Sequence, residues 1–143
     1  MHLNKLRAIL NGSSTEPSEE WQGVIRGVCN SAVFLFAVID TKDGEGLELA
    51  GTGTFVAIEG SHYILTAAHV WWEVLKPACK LGISIRIGKD LPHKFLIGIE
   101  TIEAVGLPRL RDWGEWGPDM ILLRIPPIHV GTIEAFRVFY NLT

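Results

Sequence analysis

The sequence predicts an all-β fold with one short helix near the N-terminus. Residues 32–39 are an unbroken run of eight apolar side chains, which is the length of a buried strand and far short of a membrane span. Asp43-Gly44 is a strong hairpin-turn signal. Short apolar segments then recur between turn residues at intervals of about 8–12 residues, as in a β-sandwich or a β-barrel.

The predicted helix follows a polar lead-in rich in Ser, Thr, Glu and Pro. Pro17 suits the first turn of a helix. Apolar side chains then recur at spacings of three, four and seven residues, which places them on one helical face. These side chains are Trp21, Val24, Ile25 and Val28.

The rest of the chain is divided into strands by glycine, proline and polar residues. Residues 59–62, Glu-Gly-Ser-His, form one such turn, and Pro77 ends a short helix. A chain of 143 residues is expected to be one domain. After the first strand, the predicted elements are strands at 47–58 and 63–65, a helix at 67–75, strands at 81–87, 95–105 and 120–125, and a loop at 106–118.

Charge and hydropathy exclude several classes of partner. A net charge of -3 and a pI near 5.9 give no electrostatic reason to expect nucleic acid or an anionic membrane surface. The first ten residues lack the apolar stretch of a secretory signal. The compartment is unknown from the sequence, and a soluble cytoplasmic protein is the default expectation.

Cys29 and Cys79 are too few for a disulfide framework. We expect buried free thiols, with one disulfide as the alternative. No metal or other cofactor is expected, because His69 and Glu73 share a helical spacing without a second histidine nearby. The four tryptophans of the middle region are expected to pack in the core and loops, since no basic patch accompanies them. They are Trp71, Trp72, Trp113 and Trp116.

His69 is the first candidate functional residue. It lies in the segment 63–70, Tyr-Ile-Leu-Thr-Ala-Ala-His-Val, where a short apolar strand leads into a turn of small residues. The small side chains of Ala67 and Ala68 allow this turn to pack closely. A histidine held rigidly at the end of a strand can accept a hydroxyl proton as a general base. The alternative is a structural histidine.

Asp119 is the second candidate. It follows Gly117-Pro118, which constrains its backbone, and it precedes the apolar strand at 120–125. A buried carboxylate beside a catalytic histidine fixes the imidazole tautomer and stabilises the imidazolium. Asp119 is therefore the predicted partner of His69. Asp112 is the main rival, although no apolar strand follows it, and a plain turn residue is the other interpretation of Asp119.

Together the two segments resemble the His and Asp segments of trypsin-like serine peptidases. The resemblance is to the bacterial type, in which a Gly-x-Gly strand precedes the histidine, here Gly51-Thr52-Gly53. It covers residues 31–126, and the order His then Asp is the order of that family. It implies the first six-stranded barrel of a double-barrel fold at 31–133, after a lead-in and helix at 1–30. Residues 134–143 would begin the connection between the barrels.

The resemblance implies peptide-bond hydrolysis of a peptide or protein substrate by a Ser-His-Asp triad. His69 would be the general base and Asp119 its orienting carboxylate. No Gly-x-Ser-x-Gly or Gly-x-Ser-Gly segment occurs in the sequence, and the family's nucleophile, oxyanion hole and specificity pocket belong to its second barrel. We therefore expect the chain to be inactive without this missing C-terminal barrel, and to self-associate through the surface that barrel would cover.

A non-catalytic β-barrel binding module, or pseudoprotease, is the alternative function. In that case His69 and Asp119 are retained as packing residues. Gly51-x-Gly53 lacks the third glycine of a dinucleotide-binding fingerprint and precedes a strand. It is expected to allow close approach of the backbone within the barrel.

Overall fold

The structure is a computed structural model that describes residues 18–84, 94–106 and 118–142. The chain divides into two compact units, Met1–Asn30 and Ser31–Thr143. The helix α1 (Glu19–Ser31) confirms the predicted N-terminal helix. Glu19 and Glu20 lie in its first turn, where acidic side chains interact favourably with the helix dipole.

The second unit consists mostly of strands, which confirms the predicted all-β class. A π-helix (Val70–Leu75) lies within the predicted helix at 67–75, a 3-10 turn covers Ile99–Thr101, and a helix that was not predicted, α2 (Pro127–Glu134), follows the seventh strand. The strands are β1 (Ala32–Thr41), β2 (Gly44–Ile58), β3 (Ser61–Thr66), β4 (Lys80–Ser84), β5 (Lys94–Gly98), β6 (Glu103–Gly106), β7 (Ile121–Arg124) and β8 (Tyr140–Asn141).

Two tight hairpins connect the first three strands. The turn predicted at Asp43-Gly44 lies slightly earlier, because the chain pairs again as a strand from Gly44 onward. The turn between β2 and β3 consists of Glu59 and Gly60, with φ angles of 49° and 78°. Two positive φ angles in a two-residue loop are typical of the type I′ turn, whose twist matches that of the flanking strands.

The strands form one curled antiparallel sheet in the order β5-β4-β1-β2-β3-β7-β6, and β8 pairs in parallel with β2. The prediction of a single strand at 95–105 is wrong. Its first half, β5, pairs with β4, whereas its second half, β6, pairs with β7 at the other end of the order. The 3-10 turn redirects the chain between these partners, and Thr101 Oγ1 donates a hydrogen bond to the Gly98 carbonyl at 2.7 Å.

The core of the second unit lies on one face of this sheet. The apolar run at 32–39 is not buried as a whole, because alternate side chains of a strand point to opposite faces. Leu35 is fully buried, whereas Phe34 is 46% exposed. The buried core side chains are Val33, Leu35, Ala37, Phe55, Ile64, Val70, Trp71, Leu75, Leu81, Ile83, Ile97, Ile121, Leu123, Ile125, Val130 and Ile133.

Three other sequence predictions have definite outcomes. Both cysteines are exposed and neither forms a disulfide, so the prediction of buried thiols is wrong. Trp71 is buried as predicted, but Trp72 is 53% exposed, with the Lys76 ammonium 4.4 Å from its ring centroid. Among the helices that the structure describes, none is both long and apolar enough to cross a membrane. Trp113, Trp116 and the predicted strand residues 85–87 lie outside the described residues.

Candidate active site

Sheet pairing places His69 and Asp119 at the same end of the sheet. Strands β3 and β7 are antiparallel neighbours, and Thr66 pairs with Ile121 at the end of their ladder. The C-terminal end of β3 therefore lies beside the N-terminal end of β7. His69 follows Thr66 by three residues and Asp119 precedes Ile121 by two, so both leave their strands at this point.

His69 and Asp119 make direct contact, as the sequence analysis predicted. The backbone N–H of His69 donates a hydrogen bond to Asp119 Oδ1 at 2.9 Å, and the ring atom Nδ1 forms a hydrogen bond with Oδ2. The backbone N–H of Ala68 also donates to the Asp119 carbonyl at 3.3 Å. Asp119 is thus held to the histidine turn through its side chain and its backbone. The rival, Asp112, lies outside the described residues.

The surroundings of the carboxylate favour its ionised form. The hydrogen bond from the His69 ring, and then that from the His69 backbone N–H, lower the pKa of Asp119 below its ordinary value. The site is more open than a buried triad, because the side chains of His69 and Asp119 are 57% and 51% exposed. The carboxylate therefore carries its charge at neutral pH at a solvent-accessible position.

This geometry determines what the imidazole can do. A carboxylate only accepts hydrogen bonds when ionised, so Nδ1 must carry the shared proton and the neutral ring keeps its lone pair on Nε2. Among the residues that the structure describes, none forms a hydrogen bond with Nε2. The ring is therefore set to accept a proton at Nε2 while Asp119 stabilises the resulting cation.

The chain on either side of His69 is anchored in the core. The π-helix that follows it buries Val70, Trp71 and Leu75, and π-type turns often lie at functional sites. Before His69, the strand β3 packs closely against β2, because a Cβ atom added to Gly53 of β2 would lie 2.6 Å from Cγ2 of Ile64 in β3. This confirms that the Gly-x-Gly segment of β2 allows close approach of the neighbouring strand, as predicted.

A second histidine–carboxylate pair, which was not predicted from the sequence, lies at the other end of β3. His62 Nε2 is 3.5 Å from Glu134 Oε1, and the His62 ring packs edge-on against Phe139, with centroids 4.7 Å apart. No local motif marks this pair, because Glu134 belongs to α2, which was not predicted. No group of three or more potential metal ligands occurs within the described ranges.

Comparisons with known proteins identified no relative of this chain. No protein-family model matches the chain, and no match was found among curated proteins or among solved structures. What the site does must therefore be inferred from its own geometry.

Proposed function

We propose that this chain is the His/Asp half of a trypsin-like serine peptidase. The single observation that carries the proposal is the two-point contact between Asp119 and His69, through the backbone N–H and through Nδ1. A contact to Nδ1 alone would only orient the ring. The contact to the backbone N–H of the same residue also fixes the position of the His69 backbone relative to the carboxylate.

In this proposal, Nε2 of His69 accepts the proton of a serine hydroxyl as the serine oxygen attacks the peptide carbonyl. The imidazolium that forms is stabilised by Asp119, which remains ionised. Nε2 then returns the proton to the leaving amine as the peptide bond breaks. The lowered pKa of Asp119 supports this role, because the carboxylate must stay charged while its neighbour gains a proton.

The strand order supports the proposed fold. The segments β5 and β6 are separated only by the 3-10 turn and Ile102, yet they stand at opposite ends of the strand order. If they are counted as two halves of one bent strand, the sheet has six main strands and its two edges belong to the same segment. That is the strand number of the barrel that the sequence resemblance implies, and it favours a sheet that curls toward closure.

The proposal requires a serine from a segment other than these residues, since the sequence holds no Gly-x-Ser-Gly pattern. The second unit also exposes apolar side chains that the missing barrel would cover in this proposal. Met120, directly after Asp119, is 43% exposed, and Ile128 is 82% exposed.

The experiment is hydrolysis of peptide and ester substrates by the complete product of the gene, expressed with and without substitutions. We expect fluorophosphonate-sensitive hydrolysis that is lost in His69→Ala. The matched control is His62→Ala, because His62 is also a β3-region histidine with a carboxylate partner and should be dispensable for the chemistry. Equal loss in both variants would contradict the proposal.

One observation favours a second candidate, a non-catalytic β-barrel module. No hydroxyl or thiol of the described residues reaches Nε2. The contact between His69 and Asp119 would then only fasten the turn after β3 to the start of β7. This candidate predicts that Asp119→Asn destabilises the fold while the complete gene product shows no fluorophosphonate-sensitive hydrolysis.

A further inference from the structure

The turn that carries His69 is fastened to β2 at a point before the histidine. Thr66 is 6% exposed, and its Oγ1 donates a hydrogen bond to the backbone carbonyl of Thr52 at 2.8 Å. Thr66 is the last residue of β3, so this bond fixes the position from which the histidine turn leaves the sheet. The Thr52 side chain, by contrast, is exposed.

A second contact fastens the same turn just after the histidine. Val70 is 6% exposed, and a Cβ atom added to Gly51 would lie 3.1 Å from Val70 Cγ2 and 3.5 Å from Val70 Cγ1. The valine therefore packs onto the bare backbone of β2, in space that a side chain at position 51 would occupy. Two adjacent residues of β2 thus contact the turn on both sides of His69.

We propose that Thr66 is a positioning residue for His69, and that Gly51 and Thr52 form the backbone seat on which the histidine turn rests. The catalytic consequence rests on the proposed peptidase function, whereas the positional claim depends only on these contacts. Thr66 acts through the backbone and does not touch the reacting groups.

The exposure of the pair explains why such a seat is needed. An exposed contact between a carboxylate and a polar side chain gains little in water, because solvent screens it and the side chains lose entropy when they are fixed. The hydrogen bond between His69 Nδ1 and Asp119 Oδ2 therefore persists only if the backbone holds both side chains at the right separation. The buried hydroxyl of Thr66 supplies that restraint at one end of the turn, and the Val70 contact supplies it at the other end.

The test is NMR of the 143-residue chain, labelled with ¹⁵N at histidine. In the wild type we expect the His69 ring to be protonated at Nδ1, with a low-field Nδ1–H signal that disappears in Asp119→Asn. Thr66→Val keeps the shape but removes the hydroxyl, and should lose this signal and give a mixture of tautomers. Thr66→Ser, which restores a hydroxyl, should recover the signal. Thr52→Val keeps the accepting carbonyl and should leave the signal unchanged.

The inference is overturned if Thr66→Val is folded and keeps the wild-type Nδ1–H signal. If Thr66→Val does not fold, Gly51→Ala decides, because it displaces Val70 without removing any hydrogen bond. Loss of the signal in a folded Gly51→Ala variant supports the seat, and an unchanged signal overturns it.

Labelling rates distinguish a failure of this inference from a failure of the proposed function. In the complete gene product, Thr66→Val should lower the rate of fluorophosphonate labelling about tenfold, and Thr66→Ser should restore it. If no labelling occurs even in the wild type while the NMR result holds, the peptidase function fails and the positional inference stands. If labelling is normal in Thr66→Val, the catalytic consequence of the seat is overturned and the peptidase function stands.

Discussion

Asp119 holds His69 at two points, with Oδ1 on the backbone N–H and Oδ2 on the ring Nδ1. The two oxygens have different consequences. The first fixes the backbone of the histidine turn to the start of β7, so it contributes to folding. The second sets the tautomer of the ring, so it contributes to the proposed chemistry. Substitutions can separate these contributions.

Asp119→Asn should greatly slow the proposed chemistry while leaving the shape of the site. The amide oxygen can still accept the backbone hydrogen bond, but the side chain no longer carries the charge that stabilises an imidazolium. If a serine completes the triad, turnover should fall on the order of 10⁴-fold with binding little affected. Steady-state kinetics of the complete gene product measure this. A loss of less than tenfold would show that Asp119 is not the orienting carboxylate.

The Asp119 carboxylate should stabilise the fold in a pH-dependent manner. Its pKa is lowered from an ordinary value of 3.8, so its stabilisation is present above that value and is lost as the pH falls through the lowered pKa. The free energy of unfolding of the wild type should therefore approach that of Asp119→Asn as the pH falls below about 4. Urea unfolding of both proteins across the acid range tests this. A difference that does not change with pH would exclude the charge as its cause.

The 143-residue chain alone should not be an enzyme. Under the proposed function, His69 and Asp119 supply a base and its orienting carboxylate, but the sequence has no Gly-x-Ser-Gly segment, and residual catalysis by damaged triads depends on an intact oxyanion hole. Purified chain should neither turn over an activated ester above the rate of free imidazole nor react with a fluorophosphonate. Stoichiometric labelling of any of its own serines would show that the nucleophile lies within these residues.

The C-terminal segment should promote self-association of the isolated chain. Phe136, Val138 and Tyr140 are each more than half exposed, whereas the intervening Phe139 packs against Phe55, with ring centroids 5.1 Å apart. An alternating apolar stripe of this kind favours association. Val138→Lys should shift the chain toward monomer in sedimentation velocity. The matched control is Thr132→Lys, at an exposed position of α2, which should leave the distribution unchanged.

The close approach at Gly53 should make this position intolerant of a side chain. A Cβ atom there would lie 2.6 Å from Ile64 Cγ2 and 3.1 Å from the Leu65 carbonyl, so Gly53→Ala should cost about 1–3 kcal/mol through overpacking. Gly131→Ala is the control, because its Cβ would meet nothing within 4 Å in the helix α2. It should stabilise the fold by about 0.5–1 kcal/mol. Chemical denaturation measures both, and equal effects would contradict the packing at Gly53.

The sequence was sufficient to predict those features that depend on local patterns. Local patterns predicted the strands β1 and β7 and the turn at Glu59 and Gly60. The spacing of apolar side chains and the residues preferred in turns are both determined over a few residues. The contact between His69 and Asp119 was also predictable, from two motifs that each border an apolar strand. The partial exposure of both side chains was not, since exposure depends on which distant segments cover the site.

The features that the sequence did not predict depend on tertiary contacts. The break between β5 and β6 arises because the chain changes pairing partners, from β4 to β7, and no local pattern records this change. The helix α2 contains Gly131 and β-branched residues, which have modest helix propensity. Packing of Val130 and Ile133 in the core and a proline at its start favour it instead. The contact between His62 and Glu134 follows from that helix.

The central claim is that His69 activates a serine. The most direct test is the rate of fluorophosphonate labelling of the complete gene product, with the modified residue mapped by mass spectrometry. We predict one labelled serine outside residues 1–143, with labelling abolished in His69→Ala, strongly reduced in Asp119→Asn and unchanged in His62→Ala. Labelling that persists at the wild-type rate in His69→Ala, or no labelling of the wild type, would contradict the claim.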